Sequence, residues 1–285
     1  MHAVRMKQLL PTAGLSIGQC ATLACVLEVS APKPGNVHPG AEFDDLRYAD
    51  FVASAVAIGP AMDDAACQPL GRTVLEAIRA TRRVVNTNTN LGTVLLLAPL
   101  AAVAPHEPLA AGVRRVLASL DADDARDVYE AIRSAQPGGL GRSERFDVFG
   151  PPPADLLAAM AAAADRDLVA RQYVNGFAEV LEAAAPWLAE GIAAGWPLGQ
   201  TIVHVHLRLI AAYGDSLIAR KCGTEVSREA AQRAAEVLAA GNPGSPTYAA
   251  KLGEFDRWLR ADGHRRNPGT TADLVAGGLF ALARQ

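Results

Sequence analysis

The chain has 285 residues, of which 50% are apolar, 20% charged and 5% aromatic, with a formal net charge of -3. Ala, Leu and Val dominate the apolar half, which points to helices and argues against disorder or an all-β fold. The slight acidic excess lacks the basic surplus of a nucleic-acid binder.

In chain order, the apolar spacing predicts a buried central helix over Leu15–Val29. An amphipathic helix follows, carrying Tyr48, Phe51, Val52, Ala55, Val56 and Gly59. Leu70–Val85 and Leu91–Ala104 read as two more, separated by a short polar segment, and Ala110–Leu120 and Asp124–Ala135 come next. Gln136–Pro153 is rich in Gly and Pro and predicts the longest loop. Helices are then expected over Asp155–Ala164, Asp167–Ala184, Leu198–Tyr213, Val226–Ala240, Pro246–Ala261 and Thr271–Ala283. Ser245 before Pro246 supplies an N-cap and a proline at the first helical position. Thr201–Leu207 alternates like a strand, but a lone strand has no partner here, so helix is expected. The pattern predicts one all-α domain over residues 1–285, with about a dozen helices.

Leu91–Val103, the most apolar stretch, is too short to cross a bilayer and contains Pro99. Met1–Leu10 holds no apolar run of signal-peptide length. A cytoplasmic protein without membrane partners is expected, and its lightly charged apolar helices allow a homodimer. Cys20, Cys25, Cys67 and Cys222 form no CxxC pair and read as small buried apolar residues.

Four segments are candidates for chemistry, against the plainer readings of a rigid inter-helix loop for the first and an elaborate N-cap for the second. Pro32-Lys33-Pro34-Gly35-Asn36 is a stiff loop after Glu28 and before Asp44 and Asp45, able to present Lys33 and Asn36 to a phosphate. Asn86 to Asn90 is a run of uncharged hydrogen-bonding side chains ahead of a helix start at Leu91 and Gly92, suited to an anion or a sugar. Arg82 and Arg83 precede it. In the third, His204, Arg208 and Asp215 share a helix face, which reads as a structural Arg–Asp pair or a site, with Arg220 and Lys221 beyond. Zinc at His204 and His206 would require a strand. The fourth, Asn267 to Leu274, feeds a helix whose first turn carries Thr270, Thr271 and Asp273, a pattern that capping alone explains. No P-loop, GxGxxG, HExxH or GxSxG pattern occurs.

In this order the segments resemble the triphosphoribosyl-dephospho-CoA synthase family. Its Glu-bearing helix and Pro-Lys-Pro-Gly loop are matched by Glu28 and Pro32-Lys33-Pro34-Gly35. Its Gly-Ala…Asp and Phe-x-x-Ser stretches are matched by Gly40 to Asp44 and Phe51 to Ser54. Its Asn-Thr-His-Lys-Gly motif appears as Asn88-Thr89-Asn90-Leu91-Gly92, and its Asp-Thr-Asn as Asp215-Ser216-Leu217. Asn267 to Ala276 is similar to its Ser-Pro-Gly-Gly-Ser-Ala-Asp-Leu-Leu-Ala. Asn90-Leu91 in place of His-Lys, and Leu217 in place of Asn, mark a divergent branch.

The resemblance implies an all-α transferase in which the 2'-hydroxyl of dephospho-CoA attacks the ribose of ATP and adenine leaves. It implies Mg2+ on carboxylates, with Asp44, Asp215 and Asp273 as candidates. Lys33, Arg83, Arg220 and Lys221 would face phosphates, with Gly35, Asn36, Asn88, Thr89, Asn90 and Gly92 around the nucleotide. Glu28 or Asp44 would be the general base, and Asp215 a further catalytic group. Because relatives of this kind occur where C1-carrier coenzymes such as tetrahydromethanopterin or methanofuran are made, another coenzyme pathway stays open. A metal-dependent ribosyl or phosphate-ester hydrolase, and a non-catalytic helical binding protein, are the other readings.

Overall fold

Ser16 starts the first helix with a reciprocal cap: its hydroxyl accepts the Gln19 N–H, and the Gln19 amide oxygen accepts the Ser16 N–H. This computed structural model describes residues 12–139, 141–143 and 145–284. The segment Met1–Leu10, read above for a signal peptide, lies outside the described residues.

Helix α1 (Ile17–Ser30) crosses α2 (Tyr48–Asp63) where both lack side-chain bulk, at Gly18 and Gly59. A Cβ on Gly18 would collide with the Gly59 carbonyl oxygen, and the Asp63 carboxylate accepts the Gly18 N–H at 2.7 Å. Gly71 of α3 (Leu70–Val84) meets α6 (Ala122–Ala135) in the same manner, donating its N–H to Asp124 at 2.7 Å. Helices α4 (Leu91–Ala101) and α14 (Gly269–Ala283) fill the centre, with ten of eleven and eleven of fifteen residues buried. Around them lie α5 (Leu109–Ala118), α7 (Leu156–Ala163), α8 (Leu168–Asn175), a π-helical turn over Glu179–Ala184, and α9 (Ala185–Ala193). A second apolar cluster joins α10 (Leu198–Tyr213), α11 (Ser216–Cys222), α12 (Thr224–Ala239) and α13 (Pro246–Arg260) through Leu207, Ile210, Ile218, Ala234, Tyr248 and Phe255.

The all-α expectation is borne out: the described residues form fourteen α-helices and no strand, only isolated bridges at His38–Ala41 and Phe43–Leu46. Thr201–Leu207 is helical despite its β-branched alternation, because its apolar residues pack into both core clusters. Among the described residues no single helix is long and apolar enough to cross a membrane.

Three expectations need correction. The buried central helices are α4 and α14, whereas α1 is buried only along one side, because its other residues approach the cavity or the surface. The helix expected over Asp167–Ala184 breaks at Gly176 and Phe177, both with positive φ. That break lets the buried Glu179 carboxylate accept hydrogen bonds from Gln172 at 2.7 Å and Asn175 at 2.6 Å. The cysteines are all free, but Cys67 is exposed, and Cys25 and Cys222 are only half-buried.

The Gly18–Gly59 crossing makes a graded prediction. Gly18→Ala should lower unfolding stability by about 2 kcal/mol, since backbone must move to admit the methyl group. Gly59→Ala, which meets only Thr22 Oγ1 at 3.3 Å, should cost clearly less. Urea titration of the two variants checks the order.

Candidate active site

The first turns of α4, α8 and α14 face one cavity of about 530 Å³. Helix starts carry partial positive charge and favour an anion; Asp167 already caps α8 and Asp215 caps α14, which leaves the start of α4 for a ligand anion.

Asp273, at the start of the second turn of α14, is fixed against α4. Thr93 Oγ1 donates to its Oδ1 at 2.6 Å, and the bare Gly92 leaves room for its Oδ2, where a Cβ would collide. No lysine or arginine pairs with it among the described residues. Burial therefore pushes Asp273 up to about 8, opposed by the Thr93 hydrogen bond and reinforced by the charges of Glu28, Asp215 and Asp167.

Glu28, near the end of α1, lines the same cavity. Behind it sits Lys33, fully buried, with Nζ 2.8 Å from Glu28 Oε1 and donating to the Glu28 carbonyl oxygen at 2.5 Å. The two carboxylates thus differ: one has a buried ammonium and the other only a hydroxyl.

The polar run builds the start of α4. Asn88 Oδ1 accepts the Leu91 N–H at 3.1 Å, Thr89 bonds Ser54 at 2.6 Å, and Asn90 donates to Thr81 at 3.0 Å. The Oδ1 atoms of Asn36 and Asn90 are buried and unpartnered, and both residues line the cavity.

Cations line another part of the wall. Arg220 pairs with Asp167, the N-cap of α8, and Arg166 reaches Ala162 O and Ser143 Oγ. Lys221, which is half-buried, has no carboxylate partner among the described residues, and burial pulls it below the usual ammonium range. His264 Nε2 lies 3.2 Å from Asp45 Oδ2 beside them. A third side is apolar, formed by Tyr129, Ile132, Phe146, Leu156 and Met160.

The cavity therefore gathers Glu28, Asn36, Asn88, Thr89, Asn90, Gly92, Arg220, Lys221 and Asp273. It excludes five other expected site residues. Lys33 is committed to Glu28 and has no surface for a phosphate. Gly35 gives its N–H to Asp256 at 2.8 Å and packs against Leu259 instead of a ligand. Arg83 and Asp44 are exposed outside the wall, Asp45 taking the place expected for Asp44. Asp215 is buried as the N-cap of α11, bonding Ile218 N at 2.9 Å and both the N–H and hydroxyl of Thr271 at 2.8 Å.

Asp44, Asp215 and Asp273 accordingly do not converge, and no group of three or more His, Cys, Asp or Glu among the described residues could hold a metal ion. Arg208 pairs with Glu190 rather than Asp215. His204 bonds the Tyr248 hydroxyl while His206 is wholly buried, and burial pulls it well below the usual imidazole range. Start-capping of α14 comes from Asp215, across the fold, rather than from its own first turn. Thr93, Asp45, Arg166, His264 and the apolar wall are site residues that the sequence pattern missed. Thr93 alone had a local signal, as a hydroxyl following the polar run.

The chain matches, over residues 15–285, the model of a family described as ATP:dephospho-CoA triphosphoribosyl transferase. A solved structure from Archaeoglobus fulgidus, provisionally described as a triphosphoribosyl-dephospho-CoA synthase, is 26% identical to it. The match covers 81% of this chain and 97% of that one, with a TM-score of 0.62. No curated protein matches the chain. The resemblance carried by the sequence motifs is borne out.

The placement of Lys33 changes what its removal should do. Lys33→Met should destabilise the fold by about 3 kcal/mol or more, because it leaves Glu28 without its buried partner. Arg83→Ala should stay within about 0.5 kcal/mol. Chemical denaturation measures both.

Proposed function

The chain belongs to the ATP:dephospho-CoA triphosphoribosyl transferase family, and on that premise we propose that it moves the triphosphoribosyl group of ATP onto dephospho-CoA, releasing adenine. It is a transferase of coenzyme or prosthetic-group biosynthesis, and in this reading the whole chain works as one helical domain.

One observation carries the reading: the cavity holds a lysine without a carboxylate partner and an aspartate without a cationic one among the described residues. Lys221 is a half-buried ammonium without a counter-ion among the described residues, and such a group is costly until an anion joins it. A triphosphate supplies that anion, helped by Arg166 and the start of α4. The Tyr129–Phe146–Met160 side suits an adenine ring or the pantetheine arm.

Asp44, Asp215 and Asp273 do not fit a resident magnesium ion, since they face different surroundings. Magnesium enters this proposal only as part of MgATP, the substrate. Leu91 lines the cavity where the family motif has a lysine, and its side chain brings no charge there.

Incubation with MgATP and dephospho-CoA should release adenine only when both are present, read by chromatography. Adenine formed without dephospho-CoA would instead identify a hydrolase. No adenine, and no nucleotide-induced stabilisation, would overturn the proposal in favour of a binding protein. Lys221→Met should raise KM for MgATP roughly tenfold, the loss of one charge-assisted contact.

A further inference from the structure

We propose that the two cavity carboxylates divide the labour of the transfer: Asp273 accepts the proton of the attacking hydroxyl, and Glu28 stays a fixed negative charge facing the reacting ribose. This rests on the transferase reading and extends it to the residues that act at the reacting atoms.

The geometry separates the two groups. Glu28 is gripped by Lys33 from behind at 2.8 Å, so its charge and orientation are set before any ligand arrives. Asp273 has Oδ1 tied to Thr93 and Oδ2 lying over Gly92, in the cavity wall. The groups facing it are all acids or weak acids: Glu28 and Cys25 from α1, and Asp215 and Asp167 from the caps of α11 and α8. Those acids and burial raise its proton affinity to a value near neutrality, where a base can both take and return a proton.

The chemistry asks for both roles. Breaking the bond between the anomeric carbon and adenine places positive charge on the ribose, which a fixed carboxylate stabilises. The hydroxyl oxygen bonds to that carbon as the carbon–nitrogen bond breaks, and its electron pair departs with adenine. The hydroxyl proton moves to Asp273 and on to the departing adenine, leaving Asp273 ionised as it began.

Three enzymes test this: wild type, Asp273→Asn and Glu28→Gln, each assayed for adenine release across pH 6–10 with saturating MgATP and dephospho-CoA. The acceptor must be ionised, so wild-type kcat should rise with pH through about 8. Asp273→Asn should lose roughly 100-fold or more in kcat together with that rise. Glu28→Gln removes a charge that raises Asp273, so the rise should move to lower pH as kcat falls at least about tenfold. A Glu28 that only tunes Asp273 would move the rise and leave kcat on the high-pH plateau near wild type. Should Glu28→Gln fail to fold, Asp273→Asn decides alone, because its amide can still accept the Thr93 hydroxyl. An active wild type alongside an Asp273→Asn variant with near-normal kcat and an unchanged profile overturns the division of labour. A wild type that releases no adenine overturns the transferase reading itself.

Discussion

The contact between the N-terminal parts of α4 and α14, closed by the Thr93–Asp273 hydrogen bond, organises the molecule. It joins residues 180 positions apart and can form only because Gly92 has no side chain. Behind it, α4 and α14 carry the most buried surfaces of the fold, so the apolar core and the polar cavity meet along one pair of helices. Asp215 braces the same junction, capping α11 while also holding Thr271. A buried carboxylate that satisfies two helix starts stabilises the framework and leaves no capacity for a ligand.

From that junction follows the asymmetry of the cavity. Glu28 has Lys33, Asp167 has Arg220 and Asp45 has His264, whereas Asp273 has only the Thr93 hydroxyl and no cation among the described residues. A buried acid without a cation costs stability, which is the mark of a candidate functional group. Lys221 shows the same imbalance with the opposite sign. A substrate bearing phosphates at one end and exchangeable protons at the other answers both.

Much of the fold was legible because helix signals are local. Ser245 caps α13 through Tyr248 N, and the apolar spacing located most of the helices. The break at Gly176 was hidden because it depends on where Glu179 finds its partners, Gln172 and Asn175. The short α11 was overlooked although Asp215 before Ser216 is a fair N-cap, because its polarity drew a chemical explanation first. At the site, the polar run at residues 86–90 and the Asp273 segment marked the right region. Lys33 misled, since a lysine between two prolines reads as exposed while its burial against Glu28 is a tertiary fact. Tyr129, Phe146 and Met160 were silent because apolar residues lining a cavity have the same pattern as apolar residues lining a core.

The central claim is that Asp273 carries an exchangeable proton near neutral pH, and carbon-13 NMR titration of aspartate-labelled protein observes that directly, independent of turnover. Burial raises both Asp273 and Asp215, so the assignment comes from substitution: a carboxyl resonance that titrates near pH 8 should vanish in Asp273→Asn. If the resonance lost in Asp273→Asn completes its titration below pH 5, the account is contradicted.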